Sequence, residues 1–177
     1  MEIRRVVTGT DDAGKARFMA DDFVKPRMAA MLPGLQMFYV WGADETQRAP
    51  NDGTQPAWTN HFPESDGFRA TVCVLPPAQV AGHEGQLTEA EIAEAEAAFP
   101  GLLATFDKEN PGVHTSTTVD VAFLISGTVD LELEDGEIRH LKPGDIVIQN
   151  GTPHKWTNTG GSDSKIVFIL IGANQNV

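Results

Sequence analysis

Apolar residues in this chain fall into short runs separated by Gly, Pro, Asn and Asp, and several runs alternate with polar residues. That is the pattern of β-strands joined by turns. It predicts strands over residues 3–8, 16–23, 35–41 and 68–75 in the first half of the chain. In the second half it predicts them over 119–125, 129–134, 137–141, 145–149, 153–157 and 165–171. Asp135-Gly136 is a hairpin signal, and Pro143-Gly144 marks another break. Leu131 and Leu133 alternate with Asp130, Glu132 and Glu134, so one face of that strand meets water. Many short strands at even spacing predict a sandwich or barrel.

Three segments interrupt the strands. Residues 23–34 carry two prolines and close on Pro33-Gly34, which reads as a crossing between strands or over an opening. Residues 42–64 are rich in Asp, Asn, Thr, Pro and Gly and are too long for an ordinary connection, so an ordered functional loop or a mobile one is expected. Trp58 and His61 lie in it, and a lone histidine there reads as a surface residue. The third segment is a helix opened by Thr88, with Glu91 three residues on in the capping-box position. Ile92, Ala95 and Phe99 mark one face, Pro100 breaks the segment, and Leu102, Leu103 and Phe106 continue the apolar theme. The expectation is a helix packed on a sheet, with a lid as the lesser alternative.

Composition narrows the function. With 177 residues the chain is long enough for one domain with a real core. The formal net charge is −12, with 13 Lys and Arg in all, so neither a phosphate backbone nor an anionic membrane surface is an expected partner. Residues 9–16 place two glycines and Lys15 as in a phosphate-binding loop, but Ala16 stands where Ser or Thr must hold magnesium. Asp11-Asp12-Ala13-Gly14 is read as a hairpin turn instead. The single cysteine, Cys73, sits in an apolar run and reads as a small buried hydrophobe. MEIRRVVTG contains no apolar stretch of signal-peptide length, so a cytoplasmic location is expected.

The chemistry lies between Gly112 and Asn158. Alternate residues of a strand share a face, so His114, Ser116, Thr118 and Asp120 point one way, and His154 and Trp156 share a face farther on. If a barrel brings the two strands together, two imidazoles and a carboxylate converge. Two histidines and a carboxylate suit iron, manganese, nickel or zinc and leave positions open for substrate or oxygen. His140 falls on the opposite parity and reads as exposed, and His83, in a Gly-containing loop, is given no role. Asn158 reads as a turn residue.

These residues resemble the motifs of the small-molecule cupins. His114 matches the first histidine of their first motif, Asp120 its carboxylate, and Gly127 the glycine that follows after six residues. Leu141 to Asp145, with its Pro143-Gly144-Asp145, resembles the start of the second motif, which His154 and Asn158 complete. Ser116 stands where the family has a second histidine, Asp120 replaces a glutamate, and Gln149 replaces a proline. The resemblance implies a mainly β fold, a double-stranded β-helix or jelly-roll barrel, with the helical segment near 88–106 as an insertion. It implies one domain over 1–177, with the barrel core at about 110–172 and residues 1–109 packing on it or extending it.

It also implies a small-molecule ligand or substrate and a homodimer, with the apolar run 35–41 available to pair across a two-fold axis. Ser116, Gln149 and Trp156 are expected on the substrate side. Three functions follow. One is an enzyme with a divalent metal held by His114, Asp120 and His154, an isomerase, lyase or dioxygenase. Another is a metal-free enzyme using Asp120 and His154 as acid and base. The third is a ligand-binding or sensing protein.

Overall fold

A computed structural model describes residues 1–80 and 87–174 of the chain, so His83 lies outside the described residues. The architecture is mainly β, with ten strands and one α-helix among the described residues. Strand β1 (Ile3–Thr10) and strand β2 (Ala16–Val24) form an antiparallel hairpin. Asp11 closes its turn by accepting from the Ala13 and Lys15 N–H groups at 3.0 and 2.9 Å. The glycine-containing stretch is therefore a hairpin turn, as its Asp-rich composition predicts.

The remaining strands build two antiparallel sheets. The larger takes β3 (Gln36–Ala43), β4 (Phe68–Leu75), β5 (Thr118–Ser126), β8 (Ile146–Asn150) and β10 (Ser164–Gly172), in the order β3-β4-β10-β5-β8. The smaller takes β6 (Val129–Glu132), β7 (Ile138–Leu141) and β9 (Lys155–Asn158), in the order β7-β6-β9. Ala122 and Leu124 of β5, Ile166 of β10 and Val129 of β6 form one apolar cluster, which joins the two sheets. Strands β3 and β4, from the first half of the chain, thus extend the large sheet built by the second half.

The motif residues hold this frame together. Gly127 has φ 84°, a left-handed conformation, and a Cβ there would collide with Ser164. Asp145 closes the Pro143-Gly144 turn by accepting from the Lys142 N–H at 2.9 Å. Asn158, expected to be a turn residue, is buried and ties the sheets: its Nδ2 donates to the Leu75 carbonyl at 2.8 Å and to the Ser162 carbonyl at 2.9 Å. These three positions serve the fold, and Asn158 also lines the cavity between the sheets.

The helix α1 (Glu89–Ala98) begins at the predicted cap. Thr88 accepts from the Glu91 N–H, and the Glu91 carboxylate accepts from the Thr88 N–H at 2.8 Å. Ala95 and Phe99 pack with Met37, Cys73 and Leu102. Ile92, expected on the same face, is 43% exposed. Only the C-terminal half of the short helix reaches the core, so the first turn stands in solvent. No helix of the described residues is long and apolar enough to cross a membrane.

The 42–64 segment is ordered by Arg69, whose side chain is fully buried. Its guanidinium donates to the carbonyls of Asn60 at 2.9 Å, Ala43 at 2.7 Å and Phe68 at 2.9 Å, and forms a short ion pair with Asp44. It also lies 5.0 Å from the Trp58 ring. A buried cation needs all its donors satisfied, and here the loop's own backbone satisfies them.

Candidate active site

Between the two sheets lies a cavity of about 590 Å³. Trp156 of β9 and Phe168 of β10 line it, together with Phe62 and Phe106 from the connections. An apolar chamber with a few placed polar groups is the usual form of a small-molecule site. Lys155 is the only Lys or Arg among the lining residues.

Asp120 is placed by β5, whose inward side chains are Thr118, Asp120, Ala122 and Leu124. The predicted parity is the observed one. Asp120 pairs in register with Gln149 of β8 and Leu170 of β10, so it has a strand on either side in the large sheet. It is 4% exposed, and its Oδ1 has no hydrogen-bond partner among the described residues. Burial pushes its carboxyl up to about 6.

His114 and His154 meet through the backbone. Each N–H donates to the other's carbonyl at 3.0 Å, and the imidazole centroids are 4.2 Å apart. The His154 Nδ1 lies 2.8 Å from the Thr152 carbonyl. A carbonyl can only accept, so Nδ1 carries the proton and Nε2 keeps its lone pair in the neutral ring. Burial lowers the His154 value, with that hydrogen bond working the other way. Burial first, and then the neighbouring His154, hold His114 down at about 4.

The other predicted positions divide. Trp156 lines the cavity, edge-on to Phe168 at 5.5 Å. Ser116 and Gln149 are buried but do not line it. The Gln149 amide donates to the carbonyl and the hydroxyl of Thr152, at 2.9 and 3.0 Å. It thereby supports the turn that presents His154. His140 is exposed as expected and hydrogen-bonds Asp130 through Nδ1 at 2.8 Å. Cys73 is buried, and burial pushes its thiol up to about 12.

The metal expectation can be set against the donor set. His114 Nδ1 and Asp120 Oδ1 are buried without partners, and the two imidazoles are adjacent. Among the described residues, however, no three His, Cys, Asp or Glu side chains are grouped so as to hold a metal ion. The carboxylate and the imidazole pair face one chamber without forming a three-donor cluster.

The first half of the chain adds two residues that sequence reasoning missed. His61, expected at the surface, is 5% exposed and lines the cavity. Its Nδ1 lies 2.7 Å from the Tyr39 hydroxyl. Burial first, then His114 and Arg69, push His61 down to about 3, so it is neutral throughout the ordinary range. The available signal was Arg69. Its parity on β4 matches that of Thr71 and Cys73, so it points inward and must draw the adjoining loop over itself.

Comparison with known proteins agrees with this frame. Residues 105–170 match the family model described as a cupin domain. A stretch of 71 residues is 35% identical to a cupin-domain-containing oxidoreductase, fogC, of Aspergillus ruber, covering 36% of this chain and 35% of that protein. Another, of 78 residues, is 46% identical to the oryzines biosynthesis cluster protein J of Aspergillus oryzae, covering 41% of this chain and 44% of that one. The match thus spans well under half the length of these curated relatives. Among solved structures, a putative ethanolamine utilization protein Q from Salmonella typhimurium aligns at 12% identity and a TM-score of 0.46, covering 98% of this chain and 99% of that one. The family match is thus to a cupin domain and is confined to residues 105–170.

Proposed function

We propose that this chain is an enzyme acting on a small organic substrate in the cavity between its sheets, with Asp120 and His154 moving a proton to and from that substrate. One observation carries the reading: a buried carboxylate facing the cavity with an oxygen that nothing in the described protein satisfies. Buried polar atoms in folded proteins are almost always paired, and an unpaired one is a mark of strain or of function. A substrate group can complete it. The relatives named as oxidoreductases and biosynthesis-cluster proteins support an enzyme of small-molecule metabolism.

The roles follow from protonation. A carboxyl near pH 6 can hold a proton or release it at neutral pH, the condition for efficient general acid–base work. The His154 Nε2 lone pair is an acceptor because Nδ1 is committed to Thr152. Phe62, Phe106, Trp156 and Phe168 exclude water and strengthen each polar contact inside. The reaction this supports is proton abstraction and return at one carbon or oxygen, as in an isomerisation or a dehydration. No metal-dependent step is assigned, since the donors do not group for one.

The test is Asp120→Asn, which keeps the shape and removes the titrating oxygen. Turnover, found by screening carbonyl metabolites with the wild type, should fall by about 10²–10⁴-fold with unchanged circular dichroism. Retained turnover contradicts the assignment, and saturable binding without turnover would make the chain a ligand-binding protein. The same reading takes the working form as a homodimer, since the β1–β2 hairpin leaves Phe18 79% and Phe23 60% exposed. Light scattering that finds only monomer would remove that part.

A further inference from the structure

We propose that His61 is a fixed hydrogen-bond donor for a carbonyl oxygen of the substrate, and that Tyr39 is the positioning residue that sets its tautomer. The inference rests on the reading of the cavity as a substrate site and names the substrate class, a small carbonyl compound. It comes from the first half of the chain, which neither the family match at residues 105–170 nor the sequence pattern reaches.

The geometry is a relay of two side chains. Tyr39 stacks on Trp58, with centroids 4.7 Å apart, and lies under the Arg27 guanidinium at 4.7 Å. Its hydroxyl meets one partner among the described residues, the His61 Nδ1 at 2.7 Å. Of the two proton arrangements, one has the phenol donating to Nδ1. The other has Nδ1 donating to the phenol, which leaves the phenol proton without a protein acceptor. The first satisfies both groups. Burial raises the Tyr39 phenol well above its ordinary value, with Arg27 over the ring and Arg69 working the other way, so the phenol keeps its proton and has it to donate. With Nδ1 accepting, the proton of the neutral imidazole sits on Nε2.

That Nε2 has no hydrogen-bond partner among the described residues, and His61 lines the cavity. The ring is held edge-on to Tyr39 at 5.7 Å and to Phe62 at 4.6 Å, so it cannot turn to another acceptor without losing both contacts. An oriented, neutral N–H on a ring that lines the chamber can take an oxygen that accepts. Asp120 and the His154 Nε2 supply acceptors and a proton carrier to the same chamber, and His61 supplies what they lack. A carbonyl oxygen held by such a donor makes the adjoining C–H bonds more acidic, which is the condition a proton-moving site needs.

The experiment has two readings on the whole chain. Long-range proton–nitrogen NMR of labelled protein at neutral pH should find His61 in the Nε2–H form, and Tyr39→Phe should shift it towards Nδ1–H. An Nδ1–H tautomer in the wild type overturns the proposal without touching the Asp120 assignment. Binding is then measured with acetophenone and with 2-phenylpropene, which has the same shape without the oxygen. The wild type should prefer acetophenone by about fivefold to tenfold, the size of one buried hydrogen bond. His61→Leu should lose that preference and His61→Gln, which keeps an N–H near the same place, should restore it. An equal preference in wild type and His61→Leu overturns the subsite. If neither probe moves any resonance of the cavity wall, the ligand-pocket reading fails and the subsite with it.

Discussion

The two walls of the cavity differ in how they are built and in what they offer. One wall places Asp120 on β5, between β10 and β8, and His154 just before β9, where an isolated bridge pairs it with His114. The other places His61 on the long connection between β3 and β4. There the position is fixed from beneath, by one buried cation whose donors gather the backbone of Ala43, Asn60 and Phe68. The first wall carries groups that accept or exchange a proton, and the second carries a neutral ring with its proton fixed. The contrast teaches that strand pairing places the acid and base, whereas the donor is placed by one buried guanidinium and by the His61 N–H, which donates to the Pro100 carbonyl at 2.7 Å.

That dependence gives the largest expected effect. Arg69→Met leaves the Asp44 carboxylate and three carbonyls without their donor, and should destabilise the chain by about 3–4 kcal/mol in denaturant unfolding. Protease cleavage in residues 42–64 should appear well before global unfolding, with the β5–β9 wall still intact. A uniform loss with no early cleavage would mean the two walls are not separable.

A second prediction concerns pH. The Asp120 carboxyl is raised from 3.8 to about 6 in the folded chain. A raised folded value means that its contribution to stability is full below pH 3.8 and is lost as pH rises through 6. Asp120→Asn escapes that loss. It should therefore be more stable than the wild type at pH 7, by about 2 kcal/mol, and level with it below pH 4. Equal melting temperatures at pH 7 would show that the wild-type carboxylate is already satisfied.

The smallest expected effect is that of a chelator. Dialysis against one should leave turnover within about twofold, because the carboxylate and the imidazole pair do not form a three-donor group. Loss of turnover restored by iron, manganese, nickel or zinc would return His114, Asp120 and His154 to the ligand role that the motif resemblance implies.

Legibility in the sequence followed the same division. The inward row Thr118, Asp120, Ala122 and Leu124 was readable because strand parity is a local rule. The hairpins at Asp11 and Asp135 were readable because their turn residues are local too. Gln149 had the right parity, but its amide is taken by Thr152, a contact that depends on the path of the turn. Ile92 had the right helical spacing, but only half of the helix reaches the core. His61 was not readable as a site residue at all. Its burial depends on Arg69, whose partners are set by tertiary structure.

The central claim is that Asp120 is an unpaired carboxyl poised near neutrality. Carbon NMR of the aspartate carboxyls, assigned by comparison with Asp120→Asn and followed from pH 3 to pH 8, tests it directly. The account predicts one carboxyl with its midpoint at about 6. A midpoint at or below 4 for that resonance would contradict it, because the group would then be a satisfied carboxylate with no proton to exchange at neutral pH.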